Sequence, residues 1–136
     1  MQSVSSNAVA QAFSWQTPSL NQAKADFGFQ FKSGYTGTFG ISFYAKTSNL
    51  LIVGIEFSNI GGEKIGTAST AIVGDCNIRP KNAVSDYGVT TVAIDYLKTS
   101  TQIRLGIMID GRFCVFESIG VTSGSNAIRA CLVIPI

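Results

Sequence analysis

From Phe39 onward the chain repeatedly places apolar residues at every second position, and this two-residue period constrains its fold more than any other feature. Successive strand side chains point to opposite faces, so the pattern fits half-buried strands and does not fit a helix. Phe39, Ile41, Phe43 and Ala45 oppose Gly40, Ser42, Tyr44 and Lys46, and Leu51, Val53, Ile55 and Phe57 oppose Ile52, Gly54, Glu56 and Ser58. Further runs are Val92-Ile94-Tyr96, Ile103-Leu105-Ile107-Ile109 and Ile128-Ala130-Leu132-Ile134. The same period starts at about Leu20, with Phe27, Phe29 and Phe31 alternating with Gly28 and Gln30. Turn signals separate the runs: Ser33-Gly34, Thr47-Ser48-Asn49, Asn59-Ile60-Gly61-Gly62, Gly74-Asp75 and Lys98-Thr99-Ser100. Asp110-Gly111 is the sharpest of them, because both residues suit the positive φ of a two-residue hairpin. About eight strands at spacings of roughly eight to fifteen residues predict an all-β fold. The expected architecture is an antiparallel β-sandwich, jelly-roll-like, preceded by a short N-terminal α-helix.

The helix is expected in Met1 to Phe13, which has no glycine. Ser5 suits its N-cap, and Val4 and Val9 have the spacing of a hydrophobic staple. Thr17-Pro18-Ser19 then reads as a linker, dividing a stub at 1–16 from a sandwich at 17–136. A helix this short is unstable alone and needs its own domain, or its copies in other subunits, to pack on.

Several strands are apolar on both faces, notably Leu50 to Ile55 and Cys131 to Ile136. A solvated sheet face is normally polar, so these strands predict a second sheet on one side and a subunit contact on the other. Composition agrees. Apolar residues make up 46% of the 136 residues and charged ones only 13%, half the usual share of about 25%. With a mean hydropathy of +0.29, the chain has apolar surface to spare for other copies of itself. Net charge is +2 with no cluster of either sign, so no nucleic-acid partner is expected. No membrane insertion is expected either, because the apolar run at Leu50 is short and meets Glu56 at once. The N-terminus lacks the basic and apolar regions of a signal peptide.

The chain contains no histidine, which removes Ser-His-Asp catalysis, Cys-His catalysis and histidine metal sites together. No oxygen-ligand spacing for a metal occurs, and no cofactor is expected. Cys76, Cys114 and Cys131 are far apart and read as buried, reduced thiols. A glycosidase would need two carboxylates about 5–10 Å apart in a cleft. Glu56 and Glu117 are the pair closest to that requirement, and solvent-facing strand carboxylates are the plainer reading. No enzyme is expected.

Binding suits the residues better. Aromatic faces stack on sugar rings, and planar polar groups hold sugar hydroxyls. Tyr35, in Ser33-Gly34-Tyr35-Thr36-Gly37, and Tyr87, with Arg79, Asn82 and Asp86 before it, are the candidate ligand-binding residues. They belong to the loops around Tyr35 and from Gly61 to Tyr87, where binding variation gathers. Trp15, beside the linker, is expected to anchor the helix.

The opening residues Met1, Val4, Ser5, Ser6, Asn7, Ala8, Val9, Ala12 and Phe13 carry a resemblance. The segment resembles one found in tail and tail-fibre proteins of bacteriophages and prophages, at the junction between a shaft and a C-terminal β-rich domain. It covers about a tenth of the chain, and its Ser-Asn-Ala-Val core is moderately specific. The resemblance implies a homotrimeric virion appendage, assembled in the host bacterial cytoplasm beside other tail proteins, whose distal domain binds a host surface receptor, glycan or protein. A structural trimerisation or decoration domain is the alternative, and a glycan depolymerase module is a distant third. The Ser-Gly-Asn that often precedes the segment is missing. The chain is therefore read as the terminal fragment of a longer tail protein, or else as a short stand-alone relative.

Overall fold

The computed structural model describes residues 14–98 and 101–136. The expected helix at Met1 to Phe13, and Thr99-Ser100 of one turn, lie outside the described residues. The first described element is a helix that alternation had concealed, α1 (Leu20–Phe27). Ser19 caps it, its Oγ accepting from the Gln22 N–H, and Gly28 closes it in the left-handed conformation. Pro18-Ser19 is thus a helix entry as much as a linker. Phe27 ends this helix, and the strand expected over Phe27 to Phe31 shrinks to β1 (Gln30–Phe31).

Seven longer strands follow: β2 (Thr36–Lys46), β3 (Leu50–Gly61), β4 (Thr70–Asp75), β5 (Val89–Asp95), β6 (Gln102–Ile107), β7 (Arg112–Phe116) and β8 (Ala127–Pro135). All ladders are antiparallel, and they join the strands in the order β1-β4-β7-β6-β5-β8-β3-β2. β5, β6 and β7 form a meander, and β8 returns by a long connection to lie beside β5, a Greek key. The fold is all-β, as expected, with a short helix before the sheet at Leu20–Phe27 and not at the expected place. The expected division into two separate sheets is corrected: one eight-stranded sheet curls until it nearly closes into a barrel.

Aromatic side chains bridge the remaining gap. No ladder joins the edge strands β1 and β2, yet the Phe29 ring, beside β1, lies 4.6 Å from Phe39 of β2. Phe57 and Phe113 complete the cluster, and Phe27 of α1 stacks on Phe39 at 5.5 Å. The helix therefore plugs the seam between the two edges.

The inward sets Leu51-Val53-Ile55-Phe57, Ile103-Leu105-Ile107 and Ile128-Leu132-Ile134 are buried, whereas Ala130 is half-buried and Ile109, past the end of β6, is exposed. Elsewhere the facing is corrected. A bulge between Ile41 and Phe43 shifts β2 by one residue, so Tyr44 is buried and Phe43 points out. In β5 the apolar set Val92-Ile94-Tyr96 is the outer one, and Ala93 and Asp95 face the core. Asp95 Oδ1 accepts from the main-chain N–H groups of Leu97 and Ala127, whereas its Oδ2 is buried with no hydrogen-bond partner among the described residues. At Asp110-Gly111 the hairpin exists, but with a three-residue turn in which only Gly111 has positive φ.

Cys76 and Cys114 are buried as expected, whereas Cys131 is exposed on the outer face of β8. Burial pushes the Cys76 and Cys114 thiols from 9.0 up to about 11. Cys131 should therefore react first with a thiol reagent, and the other two only on unfolding. The raised values also carry a sign. Between about pH 9 and 11 the unfolded chain releases protons that the folded chain keeps, so stability falls as pH rises through that window. Urea midpoints at about pH 8 and 10.5 should show this fall, with a shallower slope in Cys76→Ala/Cys114→Ala. An equal slope in both proteins would refute the assignment.

Candidate functional site

The outer surface has two walls of different chemistry. On the wall made by β4, β7, β6 and the start of β5, ladder registers set outward residues side by side. Thr70 of β4 stands opposite Phe116 of β7, Phe116 opposite Arg104 of β6, and Arg104 opposite Val92 of β5. The Phe116 ring leans over Gly106, whose lack of a side chain leaves room for it. Tyr87 meets that ring edge-on at 5.8 Å, and the Arg104 guanidinium lies over it, 5.2 Å from its centroid. Arg104 Nε also donates to Glu117 Oε1 at 3.2 Å.

Tyr87, Arg104 and Phe116 border a cleft of about 440 Å³ that Ser85, Gly88, Thr90 and Thr70 complete. Thr70 also lines a second cleft of about 420 Å³, formed by Lys32, Ser33, Gly34 and Tyr35 of the β1–β2 turn with Glu63, Lys64 and Ile72. The two clefts share a wall at Thr70, with Tyr35 on one side and Tyr87 on the other. The Tyr35 ring packs over Gly62, where a Cβ would collide with it. Lys32, Lys64 and Arg104 supply donors and Glu63 an acceptor, with Glu117 paired to Arg104 at the side of the cleft. The arrangement offers rings to stack on and charged groups for hydroxyls, on a surface that is half loop and half strand face.

The five residues singled out in the sequence do not assemble into one cluster. Tyr35 and Tyr87 line the two joined clefts. Arg79 lies elsewhere, its Nη1 donating to the carbonyls of Cys76 and Ile78. Asn82 is exposed in a positive-φ turn, and exposed Asp86 uses its main-chain carbonyl to accept from the Ile109 N–H; neither lines the joined clefts. Thr70, Arg104 and Phe116 carried no sequence signal, because strand order alone brings them beside Tyr87.

The carboxylate pair is not assembled. Glu56 pairs with Arg129 on β3 and β8, and Glu117 with Arg104 beyond β7. Three strands separate β3 from β7 in either direction around the barrel, roughly 19 Å along the sheet at ordinary strand spacing. That exceeds the reach of a two-carboxylate mechanism. Among the described residues no three Cys, Asp or Glu side chains gather as a metal site, and no helix is long and apolar enough to cross a membrane. Trp15 is exposed, and nearby Gln16 exchanges main-chain hydrogen bonds with Lys46 of β2.

The opposite wall, the outer face of β5, β8, β3 and β2, is apolar. Cys131, Gly54 and Phe43 form one cross-strand row, and Val133, Ile52 and Ala45 the next. Val92 and Ile94 extend the patch onto β5, each about half exposed. Its polar border is Arg129, which pairs with Glu56 at 3.6 Å and lies over the Tyr96 ring at 5.3 Å. No family model, curated protein or solved structure matches the chain.

Proposed function

We propose that this chain is the receptor-binding domain of a phage tail fibre, a homotrimer that holds a host surface glycan without catalysis. On this reading it is a virion component, assembled in the host cytoplasm beside other tail proteins, and its Greek-key winding is that of a jelly-roll-like head. One observation carries the binding half: Tyr35 and Tyr87, 52 residues apart, line clefts that share Thr70. A linear saccharide laid across Thr70 would stack on Tyr87 and Phe116 at one end and meet Tyr35 and the two lysines at the other. Arg104 and Glu117, already paired, offer their remaining polar atoms to hydroxyls.

The apolar wall supports the oligomeric half. Soluble monomers rarely leave contiguous apolar surface on four adjacent strands, and a second copy would cover it. The tyrosine-lined clefts lie mainly on β4, β6 and β7 and reach β5 at Thr90.

Removing a stacked aromatic at a binding site costs roughly 1–3 kcal/mol. Tyr87→Ala and Tyr35→Ala should each weaken attachment to host cells by about tenfold or more, with circular dichroism and oligomer mass unchanged. Host attachment equal to the parent in both variants would leave the structural virion domain as the better reading. Loss of polysaccharide cleavage in Glu56→Gln would instead favour a depolymerase.

A further inference from the structure

A third cleft, of about 570 Å³, lies between α1, the β2 end and the segment after β4. Three of the ten cationic side chains line it, Lys46, Arg79 and Lys81, against one carboxylate, Asp26. None of the three has an ion-pair partner among the described residues; the pairs there belong to Arg104, Arg112 and Arg129. Asp26 Oδ1 is engaged by the Gln22 amide at 2.8 Å.

Main-chain contacts fix the backbone that carries the two lysines. The Lys46 backbone exchanges two hydrogen bonds with Gln16, and the Lys81 N–H donates to the Pro135 carbonyl. Arg79 is held most firmly. Its Nη1 donates to Cys76 O at 2.7 Å and Ile78 O at 3.1 Å, which leaves Nη2 and Nε with no partner among the described residues. The guanidinium lies against Gly111 of the β6–β7 turn, at a spot where any Cβ would displace it. Three like charges lining one cleft against a single carboxylate repel one another, and an anion removes that cost. The excess of two positive side chains over Asp26 matches the charge of a phosphate dianion. Arginine and lysine are the usual partners of phosphate oxygens.

We propose that this cleft binds a phosphate group, with Arg79 as the positioned donor and Lys46 and Lys81 as flanking charges. The site is separate from the tyrosine-lined groove and does not rest on the receptor reading. The same chemistry belongs to free phosphate and to a phosphorylated sugar, so both are tested. Calorimetry on the full chain at low ionic strength would titrate inorganic phosphate and, separately, glucose 1-phosphate. Saturable binding is expected, weakened about tenfold or more in Arg79→Gln/Lys81→Gln and unchanged in Lys98→Gln, which removes a charge elsewhere. Tighter binding of the sugar phosphate would identify a phosphorylated glycan as the source, and equal binding the phosphate group alone. No saturable binding of either probe, or a loss below tenfold in the folded double variant, would overturn the proposal.

Discussion

Phe57→Ala should lower stability by about 4 kcal/mol, the range of a fully buried phenylalanine truncated to alanine. Phe57 is 1% exposed, and its ring lies 5.2 Å from Phe29, 5.3 Å from Phe39, 5.4 Å from Phe113 and 6.1 Å from Phe31. Those four partners come from both sides of the seam where β1 faces β2 without a ladder. The cavity would therefore open at the one place where side chains, and not main-chain hydrogen bonds, close the barrel. Urea denaturation at fixed protein concentration should show the loss as a lower midpoint with a melting temperature down by about 10 °C or more. Phe57→Leu, which keeps most of the volume, should cost under half as much. A loss below about 1 kcal/mol for the alanine variant would mean that the rings do not close the barrel.

That seam also explains which parts of the fold were legible in the sequence. The inward faces of β6 and β8 could be read directly because each keeps one register over its whole length, and that of β3 as far as Phe57, before a bulge at Asn59 shifts it so that Ile60 is buried. β2 could not, since the bulge after Ile41 exchanges the roles of Phe43 and Tyr44 and no residue there announces it. The stretch from Leu20 misled for another reason. Phe27, Phe29 and Phe31 alternate like a strand, yet Phe27 belongs to a helix whose cap residues, Ser19 and Gly28, stood in the sequence unread. All three rings reach one aromatic cluster, two of them from outside any helix. Their spacing records a shared destination and not a shared conformation.

The candidate site was half legible. Tyr35 and Tyr87 stood out as tyrosines in loop-like settings, and each lines a cleft. Phe116, Arg104 and Thr70 were invisible because their meeting depends on β4 lying beside β7 and β7 beside β6. Strand order of this kind is settled by long-range packing, which no local period records. Arg79, Asn82 and Asp86 do not line the Tyr87 cleft, for the converse reason. Nearness in sequence does not keep residues together across a loop that crosses the end of the barrel.

Val133→Asp should dissociate the oligomer that the apolar wall is proposed to hold. Val133 points outward from β8, 52% exposed, in a row with Ile52 and Ala45 and next to Cys131. Its replacement leaves the core untouched, so the monomer should fold normally. In an assembled ring every interface would gain a desolvated carboxylate, costing several kcal/mol each and weakening association by about a hundredfold or more. Light scattering at micromolar concentration should then return the 14.4 kDa monomer in place of a threefold mass. Ile119→Asp is the control, since Ile119 is just as exposed but sits in a 3₁₀ turn away from the four strands, and it should leave the mass unchanged. Cys131 supplies a second readout, because its thiol should be slower to react in the parent oligomer than in the Val133→Asp monomer. A parent that scatters as a monomer, or a Val133→Asp variant that keeps the parent's mass, would remove this face as the subunit contact.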